Sequence, residues 1–392
     1  MTKQEYLNLL QEKLEAFSKE LQKEIIEDYE EHFAEGLAAG KTEEEIIREL
    51  GDIEDMIREL PEDEVSQQSP CKAELAPAAE QGNFVCTGKY QGLVINGLIA
   101  DVMLERSENE TVSGDYEIDE AEGLEPRYCF YQYEKDGVLH LEIKENPDFL
   151  KGSLRERKVM LFGKTLVRFN SFRNEAEVRL LVKVPRDIPR IELQTTSGDV
   201  RAAGICTVQL SVATTSGDMK LSRNVAEKIS ARTASGDFEI EEATCREFQL
   251  GTASGDVSAV SVTAEELSVK TGSGDVRLSA VKLGSLQAGT GSGDIVETGE
   301  IRNRSIRTGS GDVVVNPIGS ADSVNIGTGS GDVVLDIQAI DGVRATVRTG
   351  SGDGIIHAGD GKHHVSGGES TVGEGSCRVV VTTGSGDAVV KM

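Results

Sequence analysis

The tripeptide Ser-Gly-Asp occurs ten times between Ser197 and Asp387, and nothing else in the chain restricts its fold as strongly. Its aspartates are Asp199, Asp218, Asp237, Asp256, Asp275, Asp294, Asp312, Asp332, Asp353 and Asp387, with separations of 19 five times, then 18, 20, 21 and 34. A nearly fixed period of this length marks a stacked repeat, in which one unit cannot bury its own apolar side and needs a neighbour above and below. Aligned on the aspartate, a copy such as Leu267–Leu278 alternates apolar and polar residues on both sides of Thr-Gly-Ser-Gly-Asp. Such alternation describes two short strands meeting at a corner, with Leu267, Val269, Val276 and Leu278 inward and Ser268, Lys270 and Arg277 outward. An array of hairpins is one solution. One coil of a parallel β-solenoid per repeat fits the period better.

Stacking creates an electrostatic problem. Equivalent aspartates on coils about 5 Å apart repel by roughly 0.8 kcal/mol in water and about 3 kcal/mol at an effective dielectric of 20. Two remedies are expected. In the first, each carboxylate accepts N–H groups within its own Asx-type corner while the glycine takes a positive φ. Arg201, Lys220 and Arg277, two residues after an aspartate, and Arg232, Lys270, Arg307 and Arg348, five before one, would add positive charge. In the second, Ca²⁺ is held by a ladder of Asp199, Asp218, Asp237, Asp256, Asp275, Asp294, Asp312, Asp332 and Asp353. Calcium-binding β-rolls place such corners every nine residues. The wider spacing here favours the first remedy, with no cofactor.

Composition agrees with a repeat of tight corners: 43 glycines, 4% aromatic residues and no tryptophan in 392 residues. The formal charge of -27 argues against nucleic acid as a partner, since phosphate binding needs a basic footprint. No apolar run reaches the length of a membrane span, and the first residues lack the apolar core of a signal peptide. The expected compartment is therefore cytoplasmic, or membrane-associated through a partner. The six cysteines are scattered without CxxC spacing and are expected as free thiols.

Residues 1–62 differ in kind. Apolar residues from Tyr6 to Leu37 fall at helical spacing, Gly40 stops the run, and Thr42 with Glu45 forms a capping box for a second helix. Residues 1–64 hold 21 acids against 7 bases, a net -14 that suits a docking surface for a basic protein or a second copy. Residues 63–82 read as a linker, and 83–190 as a β cap that covers the exposed strand edges of a stack beginning at 191. Within the cap, Ser113-Gly114-Asp115 has the form of a degenerate early copy, and 148–174 that of a polar excursion. His357, Asp360, His363 and His364 fall in the long last interval, expected as an exposed glycine-rich loop.

Glu5-Tyr6-Leu7, Asp28-Tyr29-Glu30-Glu31-His32-Phe33, Gly40 and Leu50-Gly51-Asp52 resemble the HAAS helical domain of Gram-positive bacteria. That resemblance implies an interaction or signalling module and points to Asp28, Tyr29, Glu30, Glu31 and Phe33 as interaction residues. From about residue 90 onward, the Thr-x-Ser-Gly-Asp-Val phrases resemble a bacterial adhesin-like β-strand-repeat family, a β-solenoid domain of unknown function. This implies an association with envelope or stress-response systems.

Acid–base catalysis needs a distinctive carboxylate pair in a cleft, not one carboxylate repeated ten times, and no Gly-x-Ser-x-Gly elbow is present. The expected protein is thus mainly β, a parallel solenoid of about ten coils behind a small separate helical domain. It is non-enzymatic: a bacterial scaffold that makes protein contact or self-associates through its helices, in envelope-stress signalling. The alternatives are a Ca²⁺-binding or adhesin-like surface protein, and last a polysaccharide-acting β-helix enzyme.

Overall fold

In the computed structural model the chain forms two compact units, Met1–Cys71 and Lys72–Met392. The described residues are Lys3, Tyr6, Phe33 and Thr42, then 81–119, 127–146, 176–338, 340, 342–359 and 361–392. Most of the expected helical segments and linker, the polar excursion at 148–174, and Asp28, Tyr29, Glu30, Glu31, Asp360 and Cys71 lie outside them. In the first unit, Tyr6 and Phe33 are helical and buried, with their rings edge-to-face at 5.9 Å.

The second unit is mainly β and solenoid-like. Each repeat supplies one strand before its corner (side A) and one after it (side B), and each strand pairs in parallel with its equivalent in the next repeat. On side A, Lys228–Arg232 pairs with Glu247–Gly251, Lys228 opposite Glu247. On side B, Phe238–Glu241 pairs with Val257–Val260, Phe238 opposite Val257. Both registers equal the 19-residue period, so identical positions stack in rows. Ile229, Ala231, Phe238 and Ile240 are buried while their neighbours in sequence face out, which gives a narrow, continuous aliphatic core.

The glycine before each aspartate has a different cause from the one expected. Positive φ falls instead five residues after the aspartate, at Gly204 (69°), Arg223 (54°), Glu242 (54°), Ser261 (57°) and Ala280 (52°), where the chain leaves side B. The corner glycine is fixed by its neighbour: a Cβ on Gly236 or Gly255 would lie 1.9 Å from the carbonyl oxygen of the glycine one coil away. Only a hydrogen fits there.

The single 18-residue interval has a structural origin. Its coil lacks the left-handed residue, so Val281 pairs with Gly299 and Ala280 is bypassed. Beside this flattened corner two core positions turn charged. Glu297 stands in the row of Leu278 and Val315, and Arg304 in the row of Leu286 and Val324. Both side chains are fully buried and paired, Nε to Oε2 at 2.8 Å. Arg304 also donates to the carbonyls of Gly299 (2.8 Å) and Ile301. Burial pushes the Glu297 carboxyl above its ordinary range, and the Arg304 guanidinium opposes that shift.

Both ends of the stack are closed in the same way. The coil formed by Gly92–Leu98 and Asp101–Arg106 sits directly against the first Ser-Gly-Asp coil, and Val138–Glu145 with Glu177–Val184 forms a further coil outside it. Tyr128–Lys135 covers the first of these outer strands, and Val112–Asp119 followed by Gln81–Cys86 covers the second, all antiparallel. At the far end, Cys377–Thr383 inserts between Ser323–Thr328 and Val343–Ala358, so the last coil in sequence is the second to last in space. Gly361–Val372 then lies antiparallel on Val343–Ala358. Antiparallel covers of this kind end the parallel ladder.

Two expectations are corrected here. Ser113-Gly114-Asp115 lies inside an antiparallel strand and is not a repeat corner. His363 and His364 belong to the covering strand Gly361–Val372, not to a loop, because pairing with Ile356 and Ile355 holds their backbone extended.

Gly255→Ala is expected to destabilise by on the order of 3 kcal/mol, because its Cβ has no space to enter, whereas Gly327→Ala, with nothing within 4 Å, should be neutral. Equilibrium denaturation of the two variants compares them. Arg304→Met should cost about 3–5 kcal/mol by leaving Glu297 buried without its partner, and the double variant Glu297→Leu/Arg304→Leu should recover most of the loss. A double variant no more stable than the single one would mean that the flattened corner requires the ion pair.

Candidate functional site

Every corner aspartate is bonded to its neighbour. The backbone N–H of each donates to Oδ1 of the aspartate on the adjacent coil, as Asp256 N does to Asp237 (2.7 Å) and Asp237 N to Asp218 (2.8 Å). The chain of such bonds runs through ten links of 2.7–2.9 Å, from Asp101 through Asp199, Asp218, Asp237, Asp256, Asp275, Asp294, Asp312, Asp332 and Asp387 to Asp353. The carboxylates are therefore not held by N–H groups of their own corner, as expected, but by those of the next coil. Asp101, which lies outside the Ser-Gly-Asp repeats, heads the column. Asp101-Val102-Met103-Leu104 has the repeat's rhythm but lacks Ser-Gly, which hid it.

Threonine completes the corner. The buried Thr233 hydroxyl accepts from Gly236 N (3.1 Å) and donates to Gly217 O on the neighbouring coil (3.3 Å), and the same pair of bonds recurs from Thr214 to Thr383. Thr349, in the outermost copy, is buried without a hydroxyl partner.

Charge compensation is partial. Arg277 reaches Asp275 at 2.8 Å and Asp256 at 3.9 Å. Lys220 pairs with Glu239 at 2.8 Å instead of the column, which raises its ammonium pKa. Arg348 pairs with Glu369.

Beside the head of the column lies a cavity of about 750 Å³, over the five side-B strands nearest the N-terminal end. Its outward row reads Asn83, Asp115, Leu181, Met103 and Arg201 across successive strands. The adjacent row reads Gln81, Glu117, Arg179 and Asp101. An apolar floor, Met103 and Leu181, thus has acid and amide on one flank and a cation on the other. Arg179 is tied to Glu117 (3.3 Å) and Glu177 (2.8 Å). A second depression of about 450 Å³ continues from Asp199 and Arg201 past Lys220 to Arg277. This arrangement can hold an extended ligand by polar contacts. Among the described residues no three His, Cys, Asp or Glu side chains converge in a metal-binding group, and each ladder carboxylate from Asp101 to Asp387 in spatial order, all but the terminal Asp353, has one oxygen committed to a backbone N–H.

Of the expected interaction residues, Phe33 is buried in its own unit. Among the described residues five cysteines are free thiols, of which Cys245 is buried deeply enough to push its pKa up to about 12.

The parallel stack and its self-bonded corners define a mainly β, solenoid-like repeat protein. The Toastrack DUF4097 family model matches residues 90–295 and 223–391, and the chain belongs to that family. The HAAS family model matches residues 5–59. Three solved structures are similar: a putative cell adhesion protein from Clostridium sporogenes (12% identity, 80% of this chain and 99% of that one, TM-score 0.22); a putative adhesin from Bacteroides fragilis (10%, 80% and 98%, 0.32); and a putative adhesin from Parabacteroides merdae (12%, 79% and 97%, 0.23). No curated protein matches the chain in sequence.

Asp237→Asn keeps the Oδ1 acceptor and removes one charge, so it is expected to leave the melting temperature unchanged or slightly higher, while Asp237→Ala lowers it by stranding the Asp256 N–H. EDTA or millimolar Ca²⁺ should not move the wild-type midpoint. A fall with EDTA, together with a destabilised Asp237→Asn, would establish the Ca²⁺ ladder instead.

Proposed function

We propose that this is a non-enzymatic bacterial scaffold and recognition protein. Its helical unit makes protein contact or self-associates, and its β unit is a rigid parallel solenoid of about ten coils that presents a binding surface. The observation that carries this reading is the ladder itself. Carboxylates and threonine hydroxyls that could have served chemistry are spent on bonding one coil to the next. What such a rod offers is a fixed spacing of outward side chains and the groove at its N-terminal end. Membership of a family of unknown function and the match to HAAS agree with an interaction role, and the role in envelope-stress signalling rests on those likenesses. The excess of 14 acidic charges in residues 1–64 suits a basic docking partner.

Native electrophoresis of cell extracts checks the role of the helices. The full chain is expected in a larger complex than a chain lacking residues 1–62, while circular dichroism of the shortened chain shows an unchanged β unit. Migration that differs only by the deleted mass would remove the docking role.

A further inference from the structure

The outward face of side A has a charge pattern unlike the rest of this acidic chain. Its row nearest the corner reads Arg232, Gly251, Lys270, Gly289, Arg307 and Gly327 over successive coils. A cation on every second coil sets the charges about 9.6 Å apart, twice the strand spacing. The intervening glycines leave the sheet bare between them: a Cβ on Gly327 would meet nothing within 4 Å, and one on Gly251 would only touch the stem of Arg232. The next row is hydroxyl and amide: Ser268, Gln287, Ser305 and Asn325. From Ser285 onward the outward positions of the last five side-A strands hold no acid, and Arg378 and Arg344 extend the positive charge to the far end.

These cations are also unspent. Lys220 and Arg277 on side B are tied to carboxylates. Arg232, Lys270, Arg307, Arg344 and Arg378 are exposed and make no ion pair among the described residues. In a chain of net charge -27, two adjacent rows without an acid, from Arg232 and Ser230 to Gly327 and Asn325, are a departure from what composition alone would place there, although the third row beside them holds Glu247, paired with Lys228, and Glu266.

We infer that this face binds a linear acidic polysaccharide lying along the solenoid axis. Carboxylate or sulfate groups would meet the cations on alternate coils, and sugar hydroxyls would meet the serine, asparagine and glutamine row. The bare glycines let the polymer approach the sheet. From Ser230 to Asn325 these two rows carry no aromatic ring, so they lack the stacking platform that single-stranded nucleic acid uses; Tyr131 and Tyr133 stand on this face only at its N-terminal end. The inference goes beyond the recognition role proposed above and uses a different face from the groove beside Asp101. It also implies that the β unit meets the polymer outside the cytoplasm, against the cytoplasmic expectation from sequence.

Binding of the full chain to immobilised polygalacturonate, dextran sulfate, neutral dextran and single-stranded DNA tests it. Wild type is expected to bind one or both acidic glycans and not dextran, and the two acidic probes distinguish carboxylate from sulfate. The variant Arg232→Gln/Lys270→Gln/Arg307→Gln should weaken binding at least about tenfold and make the slope of log Kd against log salt shallower by about two. Arg186→Gln/Arg246→Gln/Arg302→Gln, which loses the same charge elsewhere, should bind as wild type. Equal loss in both variants, no loss in the first, no binding to either acidic glycan, or tighter binding of DNA through the same residues would each overturn the proposal.

Discussion

The contact on which the whole β unit depends is the approach of one corner to the next. At the glycine before each aspartate, successive backbones come so close that a methyl group would overlap a carbonyl oxygen at about 1.9 Å. That proximity places the Asp N–H within 2.9 Å of the neighbouring carboxylate and the Thr hydroxyl between two coils. Remove the close approach and both bonds lengthen together. The three residues of the corner are therefore one device: glycine permits the distance, aspartate and threonine use it. A carboxylate that accepts a backbone N–H offsets part of its repulsion from the next carboxylate, and this is how the column tolerates stacked like charge.

A device that works only between equivalent positions forces the irregularities into a few places. The ends have no next coil, so they are covered by antiparallel strands, and at the C-terminal end the final coil is placed inside the stack rather than on its edge. Asp353, in the outermost copy, shows what the lack of a following coil does to the corner: its N–H donates to Asp387, but among the described residues no corner N–H follows to bond its own carboxylate. The interval of 18 residues is the other irregularity. The corner it shortens is the second one, away from the aspartate column, so the ladder through Asp294 and Asp312 stays unbroken at 2.8 Å. The disturbance is absorbed in the core by Arg304, whose guanidinium binds two backbone carbonyls and Glu297 at once.

Sequence alone carried the period, the alternation and the inward rows, because these depend on local residue choice. Leu267, Val269, Val276 and Leu278 are buried as the pattern requires. It did not carry the cause of the glycine or the partner of the aspartate. Both depend on distances between residues 19 apart, and an intra-corner Asx turn predicts the same letters. Asp101 was hidden by the loss of Ser-Gly, and Ser113-Gly114-Asp115 was misleading because it keeps the letters in an antiparallel strand. Glu297 and Arg304 were in plain sight as charges at aliphatic positions of the repeat, beside the only 18-residue gap.

The rows that face outward are under no such constraint. Coil-to-coil bonding needs glycine, threonine and aspartate at the corner and aliphatic residues inside, but it is indifferent to what stands at Arg232, Gly251 or Ser268. Those rows could have shared the acidic bias of the chain at no cost to the fold. Instead, the two side-A rows nearest the corner hold no acid from Arg232 and Ser230 to Gly327 and Asn325, and cations alternate with glycine in the first of them. On a rigid lattice with a fixed repeat, such sorting is what distinguishes a surface shaped for a ligand from one shaped only for solubility.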